Sequence, residues 1–222
     1  MLTIIIPTLN AATALGETLA SVRTAPPGEI IVVDGGSGDD TLSIAKAFGA
    51  HVIEARQGRG QQLAVGALAS HGEWLLFLHA DTRLADGWRS VVGAFMADPR
   101  NRRCAGYFRF ALDDPARAAR RIEAAVRWRN RALGLPYGDQ GLLISRAFYE
   151  EVGGYRALPL MEDVNLVVRI GRRRLVELGA EAVTSAEKYR RDGYVRRPLR
   201  NLLCLALYGA GVPVRVIAGL YR

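Results

Sequence analysis

The chain has 222 residues, of which 50% are hydrophobic and 23% are charged, so we expect one α/β domain with a full core and exclude disordered and repeat architectures. The formal net charge of +8 comes entirely from residues 112–222, which favours an anionic lipid surface or an anionic substrate as partner; without any nucleic-acid-binding motif, nucleic acid is not expected. The two cysteines, Cys104 and Cys204, lack the spacing of a disulfide framework or a zinc site, so a reducing, cytoplasmic location is predicted.

The first eighty residues are predicted to alternate strands and helices. Apolar runs predict strands over Leu2–Ile6, Glu29–Val33, His51–Glu54 and Glu73–Leu78. Residues at helical spacing between them predict helices that bury Leu15, Leu19 and Val22, then Leu42, Ala45 and Phe48, then part of Gln61–Ser70. This order predicts a mixed, mostly parallel sheet with helices on both faces and a ligand site at the carboxyl ends of its strands.

The order of elements becomes looser after residue 81. Strands are predicted over Tyr107–Leu112 and Leu142–Ser145, and helices over Asp86–Ala97, Pro115–Leu133, Arg146–Val152 and Val164–Arg172. Two further strands, Arg174–Leu178 and Ala182–Ala186, are expected to pair at the sheet edge. Trp128, inside the arginine-rich helix, is predicted to pack against the protein.

The tail is predicted to be a helical appendage over residues 198–222, separate from a domain over residues 1–197. Its uncharged stretch Asn201–Val214 has 14 residues and is too short to cross a bilayer, which takes about 20 apolar residues. Three alternatives remain open for it: it covers the domain, it forms a homodimer, or it lies in a membrane interface with its arginines toward the headgroups. The third alternative would place the protein peripherally at the inner face of the membrane.

Polar residues follow the predicted parallel strands at their carboxyl ends. The first strand leads into Pro7 and Thr8, the second into Asp34 and the fourth into Asp81. The first turn has no glycine, so the dinucleotide-binding fingerprint is absent and a nicotinamide or flavin enzyme is not expected. Asp34 and Thr8 could bind a nucleoside, Arg59 could pair with phosphate oxygens, and Asp81 could hold a divalent cation against a diphosphate.

Seven motifs in chain order carry a family resemblance. They are Ile4–Asn10, Glu29–Thr41, Gly58–Gly60, Phe77–Thr82, Gly138–Gly141, Gly153–Tyr155 and Glu162–Asp163. Over about residues 2–170 the chain resembles the family 2 glycosyltransferases, which have the GT-A (Rossmann-like) fold. The Leu-His-Ala-Asp-Thr and Gly-Asp-Gln-Gly strings are similar to a small bacterial subgroup often labelled arsenosugar-biosynthesis glycosyltransferases, a label that leaves the acceptor open.

The resemblance implies a role for each residue at the strand ends. Pro7, Thr8 and Asp34 would contact the nucleoside, with Asp34 on the base, and Arg59 would approach the diphosphate. Asp81 would bind Mn²⁺ or Mg²⁺. The metal motif of the family usually has two aspartates, and the first of these positions is His79 here. His79 is therefore either a structural donor or a weak ligand.

Glu162 and Asp163 supply the candidate catalytic acids. In an inverting transfer a carboxylate must take the proton of the acceptor hydroxyl, and Asp163 is the candidate base. The alternative is that both acids only cap the following helix, where negative charge is favoured. By resemblance, the loop with Tyr137, Asp139 and Gln140 faces the donor sugar or the acceptor.

The basic clusters Arg172–Arg174 and Lys188–Arg197 are predicted to be solvated, with the alternative that some of these residues close over the diphosphate or an anionic acceptor.

The resulting hypothesis is a metal-dependent, inverting glycosyltransferase. It would transfer a sugar from a nucleotide-sugar, expected to be a UDP-sugar, to a hydroxyl of a small-molecule, lipid or glycan acceptor. The alternatives are a nucleotidyltransferase on a related fold and a non-catalytic module that docks on membranes.

Overall fold

A computed structural model describes residues 1–23 and 28–221. These residues form one eight-stranded sheet with the strand order β3-β2-β1-β4-β7-β6-β8-β5. The strands are β1 (Leu2–Thr8), β2 (Glu29–Asp34), β3 (His51–Glu54), β4 (Trp74–Phe77), β5 (Thr82–Leu84), β6 (Ala105–Leu112), β7 (Leu142–Ser145) and β8 (Leu175–Thr184).

Ten α-helices are found in the same residues. They are α1 (Ala12–Arg23), α2 (Thr41–Ala47), α3 (Arg59–Ala69), α4 (Trp88–Ala97), α5 (Arg117–Leu133), α6 (Arg146–Glu151), α7 (Glu162–Ile170), α8 (Glu187–Asp192), α9 (Arg196–Gly209) and α10 (Val214–Tyr221). Short 3₁₀ turns lie at Pro99–Arg103, Gly138–Gln140 and Arg172–Arg174.

The sheet is mostly parallel, as predicted. β1 pairs in parallel with β2 and β4, and β6 pairs in parallel with β8, whereas β7 and β5 run antiparallel to their neighbours. In the β1–β2 register Thr8 lies opposite Asp34. The carboxyl ends of these strands therefore meet at one edge of the sheet, where the sequence predicts the ligand site.

Helices cover both faces of the sheet. Alternate residues of β1 point to opposite faces, so Ile4 and Ile6 join a core cluster with residues of α1, whereas Ile5 joins a second cluster with residues of α3. Both clusters are buried. The predicted α/β class with helices on both faces is confirmed.

Two predictions about the second half of the chain are wrong. Arg174–Leu178 and Ala182–Ala186 do not form a pair of strands, because both fall largely within the single strand β8, which pairs with β6 on either side of a bulge. The short strand β5, which the sequence did not predict, pairs with the end of β8. Trp128 does not pack inside, since its side chain is 66% exposed.

The tail forms the two helices α9 and α10. Cys204 and Ile217 on these helices are buried in a cluster with Met161 and Val164 of the main domain. None of the helices among the described residues combines the length and apolar character needed to span a bilayer. The predicted boundary at residue 198 falls inside α9, and the division into two domains stays a prediction.

Candidate functional site

A cleft opens beside the carboxyl ends of β1 and β4, and we call it the strand-tip cleft. Its walls include Pro7, Thr8, Arg59, His79, Asp81 and Lys188. The predicted donor-binding residues Pro7, Thr8, Arg59 and Asp81 thus lie on one surface. Asp34 is not among the residues that line this cleft.

Asp34 is 1% exposed, and its carboxylate is occupied by neighbouring protein groups. It accepts hydrogen bonds from the Thr8 hydroxyl at 2.9 Å and from the backbone N–H groups of Gly36 and Ser37 at 2.9 and 2.7 Å. Burial raises the pKa of Asp34, but the hydrogen bonds from Ser37, Thr8 and Gly36 outweigh it and hold the pKa below its usual value. Asp34 therefore fixes the turn after β2 against Thr8, and its predicted contact with a base stays a prediction.

Asp81 is paired with Lys188, whose Nζ lies 2.7 Å from Asp81 Oδ2. The chain brings these residues together because the Ser185 N–H, just after β8, donates to the Asp81 carbonyl at 3.1 Å and α8 follows immediately. Burial raises the pKa of Asp81, but Lys188, His79 and Arg59 together outweigh it, so the net pKa is lowered. Asp81 is an ionised carboxylate beside a cation.

His79 and Arg59 lie between Asp81 and the acids of α7. Arg59 Nη1 lies 3.4 Å from His79 Nε2, and Arg59 Nε lies 3.3 Å from Glu162 Oε1. Burial and then the charge of Arg59 lower the pKa of His79 to about 4, so the imidazole is neutral at pH 7. A neutral Nε2 that accepts from Arg59 fits the structural alternative for His79.

Glycine at position 60 makes the contact between α3 and α7 possible. A Cβ at Gly60 would lie 2.2 Å from the carbonyl oxygen of Arg156 and 3.0 Å from Cβ of Glu162. No larger residue fits there without moving the backbone. Gly60 therefore allows α3 to bring Arg59 to Glu162.

A second pocket, the Asp163 pocket, adjoins the strand-tip cleft. Arg59, His79, Asp81, Ser185 and Lys188 line both cavities and form a shared wall. The rest of the lining includes Tyr137, Asp139, Met161, Glu162, Asp163, Val164, Tyr189, Arg197, Asn201 and Tyr221. The two predicted acid groups, Asp81 and the Glu162–Asp163 pair, are brought together by this arrangement.

Asp163 is held by two backbone donors. Its Oδ2 accepts from the N–H of Gly138 at 2.9 Å, and its Oδ1 accepts from the N–H of Val164 at 2.7 Å. Met161, just before α7, has a left-handed backbone with φ 62°, a conformation that is uncommon for residues other than glycine. This turn directs the first residues of α7 into the pocket.

Glu162 differs from Asp163 in its surroundings. It is 3% exposed, and its ion pair with Arg59 lacks the alignment of a hydrogen bond, so Oε1 has no hydrogen-bond partner. Burial raises the pKa of Glu162, the nearby Asp163 charge raises it further, and Arg59 opposes both. Glu162 therefore anchors Arg59, whereas Asp163 is the acid with a fixed orientation toward the pocket.

The loop before β7 contributes Tyr137 and Asp139 to the Asp163 pocket. Burial raises the pKa of Asp139 to about 6, and its Oδ1 is buried without a partner. Gln140 lies behind the pocket: it is fully buried, accepts from Asn130 Nδ2 at 3.1 Å and donates to the Phe108 carbonyl at 3.0 Å. Gln140 holds the loop in place from below.

Several pocket residues were not singled out from the sequence. Lys188 was expected among solvated basic residues, with closure over a diphosphate as the alternative, and Asn201 and Tyr221 belong to the tail. The surplus of positive charge after residue 112 is the one sequence feature that points to a basic residue such as Lys188 in the site. Asn201 and Tyr221 carried no such signal, because only the packing of α9 and α10 brings them to the pocket.

Asp81 can ligate a divalent cation, but it supplies only one carboxylate. Asp81 offers a hard carboxylate oxygen, and Mg²⁺ is often held by one or two carboxylates together with substrate phosphates. Within residues 1–23 and 28–221, no three His, Cys, Asp or Glu side chains form a group that could hold a metal alone. A cation at this site would depend on the phosphates of a bound donor for much of its coordination.

Comparison with curated proteins finds glycosyltransferases. The chain is 41% identical over 108 residues to a PGL/p-HBAD biosynthesis glycosyltransferase of Mycobacterium bovis, covering 44% of this chain and 42% of that protein. It is 27% identical over 169 residues to glycosyltransferase AglJ of Haloferax volcanii, covering 69% and 48%. The chain thus spans less than half the length of these relatives.

Solved structures show the same fold. S. aureus TarS 1-349 in complex with UDP-GlcNAc superposes with a TM-score of 0.63 at 16% identity, covering 92% of this chain and 65% of that chain. Mannosyltransferase PcManGT from Pyrobaculum calidifontis in complex with GDP-Man and Mn²⁺ superposes with a TM-score of 0.63 at 19% identity, covering 90% and 59%. The predicted GT-A fold is confirmed.

The family comparison covers most of the chain. Residues 3–156 match the family described as Glycosyl transferase family 2, and this range contains the strand-tip residues Thr8, Arg59 and Asp81. The resemblance predicted from the sequence motifs is therefore confirmed at the level of the family, and the chain belongs to glycosyl transferase family 2.

Proposed function

We propose that this glycosyltransferase is an inverting, metal-dependent enzyme that transfers a sugar from a UDP-sugar to an acceptor hydroxyl. The observation that carries the proposal is the shared wall between the two cavities. Arg59 and Lys188 place positive charge on the wall, while the Asp163 carboxylate lies in the pocket on one side of it. The cations that would bind the leaving diphosphate therefore lie next to the carboxylate that would act as base, and they are different residues.

The donor diphosphate would lie against the shared wall. Arg59 and Lys188 carry fixed positive charges that can pair with its oxygens, and charge-assisted contacts of this kind are among the stronger hydrogen bonds. Asp81 would hold Mn²⁺ or Mg²⁺, which supplies Lewis-acid stabilisation of the phosphate charge when bound. Solved structures of TarS with UDP-GlcNAc and of PcManGT with GDP-Man and Mn²⁺ support this assignment by analogy.

Asp163 would act as the general base. As the acceptor oxygen forms its bond to the anomeric carbon, the bond from that carbon to the diphosphate oxygen breaks, and the acceptor proton passes to a carboxylate oxygen of Asp163. The two backbone donors, Gly138 and Val164, keep this carboxylate in position. One displacement of this kind inverts the anomeric configuration.

The neighbouring residues would orient the substrates. Tyr137 and Asp139 line the Asp163 pocket and can contact the hydroxyl groups of a sugar or an acceptor. Arg129 lies 3.5 Å above the centre of the Tyr137 ring and fixes the ring in place. Family membership favours this transferase over the nucleotidyltransferase and non-catalytic alternatives.

Thermal-shift screening of UDP-sugars and GDP-mannose, with and without MnCl₂, tests donor binding. A bound donor raises the melting temperature in proportion to the logarithm of its concentration over its Kd. We expect stabilisation by a UDP-sugar that increases with Mn²⁺, followed by release of UDP and, by NMR, an inverted anomeric product. Release of pyrophosphate or retention of configuration would contradict the proposal.

A further inference from the structure

The helices α9 and α10 form a hairpin whose inner face belongs to the Asp163 pocket. Cys204 and Ile217 are buried against Met161 and Val164, which flank Glu162 and Asp163 in the chain. Asn201 of α9 and Tyr221 of α10 line the pocket itself. The hairpin is thus a wall of the proposed catalytic pocket.

The outer face of the hairpin is apolar and exposed. On α9 the exposed apolar side chains recur three or four residues apart, as they do along one face of a helix, and α10, which packs against α9, also exposes apolar side chains. Their exposed fractions are 59% for Leu199, 60% for Leu202, 55% for Leu203, 55% for Val216 and 57% for Leu220. Single exposed leucines are ordinary on protein surfaces, whereas five large apolar side chains exposed on two helices that pack together indicate an interaction surface.

Charge on the hairpin is only positive. Residues 193–222 contain five arginines and no lysine, aspartate or glutamate. Arg197 and Arg200 turn inward and pair with Asp192 at 2.9 and 3.5 Å. Arg196 and Arg215 are exposed, and among the described residues neither forms an ion pair, so both remain available at the border of the apolar face.

We propose that the outer face of the α9–α10 hairpin docks on an anionic lipid membrane. Apolar side chains in the plane of the interface with arginines beside them are the features of a helix that lies in a membrane surface. A second copy of the chain is the less suitable partner, because it would bring Arg196 and Arg215 toward an equally basic, acid-free surface. In a membrane the leucines would be buried at the acyl-chain boundary, and the arginines would pair with the anionic headgroups.

If the proposed function holds, docking also indicates the class of acceptor. Because the inner face of the hairpin lines the Asp163 pocket, a docked enzyme holds its base one helix layer from the lipid. Leu160, Met161 and Val164 add apolar surface to that pocket. The acceptor class that fits is a membrane-borne lipid whose hydroxyl-bearing head enters the pocket.

Vesicle co-sedimentation tests the docking without any need for the acceptor. We expect the protein to sediment with vesicles of phosphatidylcholine plus phosphatidylglycerol, and at least about tenfold less with phosphatidylcholine alone or at high salt. Leu199→Glu/Leu203→Glu should abolish the binding, and Arg196→Gln/Arg215→Gln should weaken it. Matched controls are Leu68→Glu, which alters a side chain 87% exposed on α3, and Arg117→Gln/Arg121→Gln on α5.

Three results would overturn the docking proposal. They are no binding to anionic vesicles, an equal loss of binding in the control variants, and a dimer in solution that Leu199→Glu/Leu203→Glu converts to a monomer. Thermal-shift measurement of UDP binding on the same variants separates this proposal from the proposed function. If the unaltered protein binds UDP but not anionic vesicles, only the docking proposal is contradicted. If it binds vesicles but no UDP-sugar, only the proposed function is contradicted. Normal UDP binding by Leu199→Glu/Leu203→Glu shows that its loss of vesicle binding is not a loss of the fold.

Discussion

Lys188 Nζ lies 2.7 Å from Asp81 Oδ2, so a cation from α8 already compensates the carboxylate in the turn between β4 and β5. This pair links the C-terminal half of the chain, which carries the positive charge, to the strand tips of the first half. It also means that a metal ion would have to share Asp81 with Lys188 or displace it. The ion pair is the point at which donor and metal binding should be coupled.

Lys188→Met should have opposite effects on two ligands. Affinity for UDP should fall by about 10- to 100-fold, because a charge-assisted contact to phosphate is lost. Affinity for Mn²⁺ alone should rise, because no ammonium competes for Asp81. Isothermal titration with each ligand checks this, with Lys46→Met as the control at the other lysine of the chain. Unchanged UDP and Mn²⁺ affinities would show that the pair is only a surface contact.

Asp163→Asn and Glu162→Gln should distinguish the roles of the two acids of α7. An amide cannot accept the acceptor proton, so Asp163→Asn should lower the rate of transfer by at least about 100-fold with UDP affinity nearly unchanged. Glu162→Gln removes the charge that faces Arg59 and should chiefly weaken donor binding. The rate of transfer and the affinity for UDP, measured for both variants and the wild type, check these two expectations. Normal turnover by Asp163→Asn would remove Asp163 from the mechanism.

Gly138→Ala should impair the site through its backbone contact with Asp163. The added Cβ would lie 2.5 Å from His79 Nε2 and 3.5 Å from Asp163 Oδ2, so either the His79 imidazole or the loop must move, and we expect the 2.9 Å bond to Asp163 to weaken. We expect transfer to fall at least about tenfold and stability to fall by about 1–3 kcal/mol.

Gly16→Ala is the matched control for Gly138→Ala. A Cβ at Gly16, within α1, meets no atom within 4 Å, and stability should rise by about 0.5–1 kcal/mol. Full activity in Gly138→Ala would show that the loop position does not matter for Asp163.

Asp139→Asn should stabilise the free protein at neutral pH. Burial raises the pKa of Asp139 to about 6, so the folded protein holds this proton more tightly than the unfolded chain and loses stability as the pH rises from about 4 to 6. An amide does not ionise, so the variant avoids this loss of folding free energy, which is at most about 3 kcal/mol. Melting temperatures should therefore be higher than wild type at pH 7 and similar at pH 4. A variant that melts lower at pH 7 would contradict the shifted pKa.

Asp34→Asn should destabilise the fold at neutral pH. The amide cannot accept all the bonds from Thr8, Gly36 and Ser37, and a loss of about 2–3 kcal/mol is expected. Because the pKa of Asp34 is lowered on folding, this contribution is fully present above the ordinary aspartate pKa and is lost as the pH falls below that value and through the lowered pKa of the folded state. Denaturant unfolding of Asp34→Asn and of the exposed control Asp40→Asn measures it. Normal stability with reduced UDP affinity would instead support a direct contact with the base.

The sequence by itself determined the local elements and the acids at the strand ends. Apolar runs such as Ile4–Ile6 and helical spacing such as Leu15, Leu19 and Val22 depend on neighbours in the chain, so periodicity is enough to place them. The first four strands, their parallel order and the position of Asp81 followed from that pattern. Membership in a glycosyltransferase family followed from the order of the motifs.

Only the tertiary structure decided which side chains meet. Asp34 is enclosed by Thr8 and the turn after β2, Lys188 reaches Asp81, and Asn201 and Tyr221 reach the Asp163 pocket. These contacts join residues far apart in the chain, and their geometry depends on sheet order, on the bulge in β8 and on how α9 and α10 pack. Local propensity contains no information on such contacts, because their free energy comes from burial and charge pairing between distant segments.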